Sequence, residues 1–385
     1  MRISVLPLMV CAALMSACSP ANFFLGEDNR PAAKPLPAID ASLQTAVLWS
    51  DSLGEGGDTA SLALAPDGSA DTVYAISADG ILAAYDLRSG SKKFSRDLDL
   101  EITAGVRYGN GQLFAATRNG ELLALNSSDG SITWRTNVGG AVLARPALAG
   151  DMVIVRTGEG SIYAYSTTDG TQRWQYRIGE PQLSVRGYAE PVVGGGVVII
   201  TTDSGRLIVL DQASGFPVAE QRVAVGEGYN DIQRLVDIDA TPKINQGIMF
   251  GSAYQANTFA VDLQSGQVVW SQPQVSTADD FAMSPDALFL HDGIDHIYAI
   301  NQRDGDIRWH NDQLEGRYLS PMVAIPGRVG SVDGEGYLHW LNINNGNLIG
   351  QTRIGDTNAL GAPYIGQSAI VWQLADGDVV AVQPQ

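Results

Sequence analysis

Cysteine is nearly absent from this chain. Its two copies, Cys11 and Cys18, both fall in the first eighteen residues, so everything downstream carries no disulfide framework and no Cys–His nucleophile or zinc pair. Histidine is scarce at four copies, and no H-E-x-x-H, G-x-S-x-G or P-loop spacing occurs. Basic residues are outnumbered, 24 Lys and Arg against 42 Asp and Glu, for a formal net charge of −18. Such a surface repels phosphate backbones, which excludes a nucleic-acid partner and leaves protein partners open. Long apolar runs are missing as well. The stretch Ile3 to Met15 is too short to span a bilayer comfortably, and no later segment sustains a helical period.

What is present is a repeat of about 40 residues. The segments Leu123–Trp134, Tyr163–Trp174, Phe259–Trp270 and Tyr298–Trp309 share one pattern: a small residue, then Asp, Asn or Ser, then Gly, with Trp four residues after the Gly. Weaker copies run Ala84–Phe94, Val209–Ala219 and Trp340–Gly350. The turn glycines are Gly90, Gly130, Gly170, Gly215, Gly266, Gly305 and Gly346, spaced 40, 40, 45, 51, 39 and 41 residues apart. Within each unit, short apolar runs alternate with Asp-Gly and Asn-Gly signals, because Gly accepts positive φ and Asp or Asn tolerates it. A further set of hairpin glycines recurs at Gly80, Gly120, Gly160, Gly205, Gly336 and Gly377.

Four short antiparallel strands per unit, repeated radially, predict an all-β, eight-bladed β-propeller over residues 46–385. Seven blades are complete. The eighth has three strands at the C-terminus, and the segment Ala46-Val47-Leu48-Trp49 supplies its fourth, which closes the ring and removes free edges. The recurrent Trp49, Trp134, Trp174, Trp270 and Trp309 read as packing between blades, each indole N–H needing an acceptor. The polar run His291-Asp292-Gly293-Ile294-Asp295-His296 falls where other blades have a hairpin, so it reads as a solvated turn and not a metal site. No metal and no cofactor is expected.

The N-terminus resembles a bacterial lipoprotein signal. Met1-Arg2 is basic, the apolar stretch follows, and Met15-Ser16-Ala17-Cys18 resembles a lipobox. This resemblance implies a signal peptide over 1–17 and a lipid on Cys18. Ser19, in place of an Asp, implies sorting to the outer membrane. Residues 18–45, with Pro20, Pro31, Pro35 and Pro37, read as the lipidated Cys and a flexible Pro-rich tether.

Two family resemblances follow from these motifs. The Trp-bearing repeat resembles the tryptophan-docking repeat of pyrroloquinoline-quinone dehydrogenases, also eight-bladed. Those enzymes carry a vicinal Cys pair and acidic calcium ligands in a longer chain, and this chain has neither the Cys nor the length, so the likeness implies the fold alone. The repeat is broken by two insertions on consecutive blades, 179–187 and 226–242, which contain Leu183-Ser184-Val185-Arg186-Gly187 and the stretch from Ile232 to Pro242. Insertions are where a repeat protein carries function. These loops, with Gly334-Glu335-Gly336-Tyr337-Leu338-His339-Trp340, resemble the BamB family, propeller lipoproteins of the outer-membrane β-barrel assembly machinery. That resemblance implies a non-enzymatic scaffold, monomeric within a hetero-oligomeric complex on the periplasmic side of the outer membrane. It implies docking on the POTRA domains of the barrel-forming subunit BamA through Leu183, Val185, Arg186, Asp237 and Asp239, and assistance to outer-membrane protein clients. A quinoprotein dehydrogenase and a general periplasmic chaperone binding by strand addition are the alternative readings.

Overall fold

The computed structural model describes residues 31–39, 41–57, 62–179, 189–224, 236 and 238–384. Every regular element among them is a β-strand. The strands form eight four-stranded sheets, one of them extended by the short parallel strand Ala63–Leu64 against Ile102–Gly109. Blades 1 to 7 follow the chain, each running from an innermost to an outermost strand. Blade 8 is built from Tyr364–Ile365, Ile370–Gln373 and Asp378–Pro384 with Thr45–Ser52 as its outer strand. In it Val47 faces Val382 and Trp49 faces Ala381, antiparallel, so both ends of the described ring share one sheet.

The middle strands explain the apolar runs. Thr72–Ile76, Leu113–Thr117, Met152–Arg156 and Ala287–His291 are buried throughout, because each is covered on both faces by neighbouring blades. Outer strands such as Lys92–Asp97 and Pro217–Arg222 are mostly exposed and read as polar. The predicted turn glycines all have φ between 70° and 80°, a region that penalises any Cβ.

The repeated Trp packs between blades, as its spacing predicts. Each outer-strand ring lies on the turn glycine of the next blade: Trp49 on Gly90, Phe94 on Gly130, Trp134 on Gly170, Trp174 on Gly215, Trp270 on Gly305 and Trp309 on Gly346. The five indoles donate to the carbonyls of Leu87, Thr167, Gln212, Gln302 and Ile343, at 2.8 to 3.1 Å, each three residues before that glycine. The requirement for an N–H acceptor is thus met by the turn itself.

The stretch read as tether is docked over its second half. Lys34 donates to the Asp312 carbonyl and carboxylate and pairs with Glu315 at 2.9 Å, while Arg317 donates to the Lys34 carbonyl. Ile39 packs against the core shared by blades 6 and 7, and Leu43 is buried against Gly350 on blade 7. This strap meets the ring at the connection between blades 6 and 7, the same outer-to-inner class of connection that carries both insertions between blades 3, 4 and 5. The packed unit therefore starts upstream of residue 46, because Leu43 and Ile39 have apolar surface to cover.

Candidate functional site: the stems of two insertions

The first insertion joins the outer strand Gln172–Arg177 of blade 3 to the inner strand Val192–Gly194 of blade 4; the second joins Pro217–Arg222 to Lys243–Asn245 of blade 5. Leu183, Val185, Arg186 and Asp237 lie outside the described residues, as does Cys18. Asp239 is described. It is half-buried between Ile238 and Ala240, both fully buried.

The stems are joined to each other. The Glu190 N–H, at the exit of the first insertion, donates to Thr241 Oγ1 at 3.3 Å, at the exit of the second. Thr241 N–H in turn donates to Asp280 of blade 6 at 2.6 Å, and Thr201 of blade 4 donates to the Ile238 carbonyl at 3.3 Å. At the entrance of the first insertion, Arg206 donates to the Gly179 carbonyl at 3.0 Å while pairing with Glu220. Consecutive insertions are thus tied side by side at their roots, as their places in the repeat predict.

Glu190 also anchors a polar belt along the innermost strands. Its carboxylate accepts from Arg107 of blade 2 and lies 3.5 Å from Arg145 Nε at the start of blade 3. Arg107 donates to the Pro146 carbonyl at 2.9 Å, and Arg145 to the Val106 carbonyl at 3.1 Å. Asp67 of blade 1 lies 3.7 Å from Arg107 and 3.5 Å from Arg145, and accepts from the Tyr108 N–H. Burial pushes the Glu190 carboxyl up, but Arg107 and Arg145 pull it below the usual carboxylate range. Burial and the neighbouring Arg107 charge lower Arg145. Sequence reading missed this belt. Its available signal was arginine in otherwise apolar inner strands, Arg107 after Ala104-Gly105-Val106 and Arg145 before Pro146.

The belt occupies the inner wall with matched charges, and the rest of the described ring offers no cluster of three or more metal-binding side chains. In the 291–296 hairpin, Asp292 caps its own turn by accepting from the Ile294 and His296 N–H groups, and the buried Asp295 accepts from the backbone of Tyr318 and Leu319. That run is a turn with structural carboxylates.

Comparison with known proteins agrees with this architecture. The family model described as outer membrane protein assembly factor BamB matches residues 78–311. The protein of that name from Salmonella typhimurium is 34% identical over 99% of both chains. Its counterpart from Xanthomonas campestris is 33% identical over 99% of this chain and 97% of its own. The crystal structure of BamB from Moraxella catarrhalis superimposes with a TM-score of 0.80 at 27% identity, covering 88% of this chain and all of that one. The quinohemoprotein alcohol dehydrogenase of Comamonas testosteroni, at 12% identity and a TM-score of 0.68 over 88% of this chain and 76% of its own, shares the fold alone. With the family model covering more than half of the chain and full-length relatives at a third identity, this chain belongs to the BamB family of outer membrane protein assembly factors.

Proposed function

We propose that the protein is a non-enzymatic scaffold subunit of the outer-membrane β-barrel assembly complex. It is anchored by a lipid on Cys18 to the periplasmic side of the outer membrane. Leu183 and Val185 act as apolar anchors on the POTRA domains of BamA, Arg186 and Asp237 as charged contacts, and Asp239 as the support of the second loop. Docked there, the ring assists the insertion of outer-membrane proteins. With the strap seated from Pro31 onward, residues 19–30 form the spacer, which reaches at most about 40 Å.

The observation that carries this reading is the hydrogen bond from Glu190 to Thr241, which roots both insertions as one surface. Pre-organised stems reduce the ordering cost of a loop interface. The charge-matched belt and the lack of cysteine beyond residue 18 support a scaffold over a quinoprotein.

The test is a mild-detergent pull-down of the lipidated protein beside its Arg186→Glu and Leu183→Ala forms. Recovery of a POTRA-containing barrel protein with wild type and loss with both variants supports role and site. Equal recovery with all three moves the contact elsewhere. Binding of unfolded clients that survives both substitutions favours the chaperone.

A further inference from the structure

Seven blades carry a turn between their third strand and their outer strand that is built the same way, and six of those turns receive a ring from the preceding blade. The seventh is the turn of blade 5. Its backbone is intact: Gly266 has φ 70°, its N–H donates to the Asp262 carbonyl at 2.8 Å, and the Leu263 N–H donates to the Gly247 carbonyl at 2.9 Å. Yet the outer strand of blade 4 presents Ala219 where the others present Trp or Phe. A methyl placed on the six filled glycines would meet a ring at 2.4 to 2.8 Å; on Gly266 it would meet, among the described residues, only Gln221 Oε1, at 3.7 Å.

The floor of this position is also open. The strand partners of the rings are Ala381, Ala84, Ala124, Ala164, Ala260 and Ala299, none more than 1% exposed. The partner of Ala219 is Val209, which is only partly buried. The carbonyl of Leu263 stands three residues before Gly266, where the five other turns accept an indole N–H. On the same strand and its approach sit Phe216 and Val218, 73% and 60% exposed, the most exposed large apolar side chains among the described residues.

We propose that this notch at the rim between blades 4 and 5 is a binding socket for a tryptophan side chain carried by a polypeptide partner. The indole would lie on Gly266, cover Val209 and donate its N–H to the Leu263 carbonyl. The five indoles of this chain seated in the equivalent places are the argument for that occupant, and Phe216 and Val218 supply apolar surface for its flanking residues. The socket does not depend on the assignment of the insertions to BamA.

The probe is N-acetyl-5-fluorotryptophanamide, followed by its fluorine line width on the full-length protein in mild detergent, with a detergent-only reference. Wild type should broaden the line, with affinity on the order of millimolar for so small a ligand. An unlabelled Trp-containing peptide should compete, and its Trp→Ala counterpart should not. Ala219→Trp, which refills the socket, should raise the thermal midpoint and abolish the broadening; Val209→Ala, which deepens it, should tighten binding several-fold. Broadening that persists unchanged in Ala219→Trp overturns the proposal, as does a wild-type line indistinguishable from the reference. A lowered midpoint for Ala219→Trp overturns it too, since it means the turn is not spaced to receive an indole.

Discussion

Trp340 stands directly across from Gly350 in blade 7, the reverse of the small-to-Trp pairing in blades 2, 3, 5 and 6, where Ala124, Ala164, Ala260 and Ala299 face Trp134, Trp174, Trp270 and Trp309. The exchange has a local cause. Blade 8 is made from both ends of the ring, so it has no turn glycine to receive an outer-strand Trp. The indole is instead on the inner neighbour, fully buried, edge-on to Trp372 and donating to Thr45 Oγ1 at 3.1 Å. Leu43 of the strap fills the side vacated at Gly350.

Trp340→Ala should therefore lose about 3–5 kcal/mol, the usual cost of deleting a large core ring. Because the same indole holds Thr45, the variant should also free the Thr45–Ser52 strand. Urea denaturation measures the first effect, and faster hydrogen exchange at Val47 and Trp49 the second.

Turn glycines should differ by what lies on them. Gly170→Ala meets Trp134 at 2.6 Å in addition to its unfavourable φ, whereas Gly266→Ala meets no described residue closer than 3.7 Å. Strain alone should cost Gly266→Ala about 1 kcal/mol, and Gly170→Ala should cost at least about 2 kcal/mol more. Parallel thermal melts of the two variants check the ordering.

Glu190→Ala leaves Arg107 and Arg145 facing each other with Asp67 as their remaining close carboxylate and Asp280 acting from farther off. The side chain is 20% exposed, so the expected loss is about 2 kcal/mol, below the range for a fully buried pair. If the stems present the partner loops, affinity for POTRA domains falls as well, measured by titration of the folded variant.

Asp333 gives stability an acid dependence. It is fully buried, bonded to His339 Nε2 and to Arg317 Nε, both at 2.7 Å. Burial pushes its carboxyl up, but His339 and Arg317 hold it below the ordinary value near 3.8. A depressed folded value means the contribution is complete above about pH 4 and is lost as pH falls through that lower value. The stability gap between wild type and Asp333→Asn should shrink as pH falls below about 4, followed by denaturant midpoints across the series.

The strap ion pairs are partly exposed, Lys34 at 38%, and screened accordingly. Lys34→Glu should leave global stability nearly unchanged yet expose residues 31–39 to proteolysis. Limited digestion of the full chain reads this directly.

Blade number, strand order, closure at Trp49 and the turn glycines could all be read from the sequence, because each rests on local chemistry repeated many times. A glycine at φ 70° and an alternating or fully apolar run leave the same mark in every copy. The Trp at 134, 174, 270 and 309 was legible for the same reason, as were the two insertions, seen as departures from a fixed spacing. What repeats cannot state is which singular residues meet across blades. Arg107 and Glu190 are 83 residues apart, and Lys34 and Glu315 are 281 apart; neither pair has a local signature, and each exists because closing the ring brings distant chain segments to one wall. The exchange of Trp340 with Gly350 and the open place beside Ala219 appear in the sequence only as weak copies. Tertiary structure alone decided that the first is filled by the strap and the second is not, since filling depends on which neighbour the ring supplies at that junction.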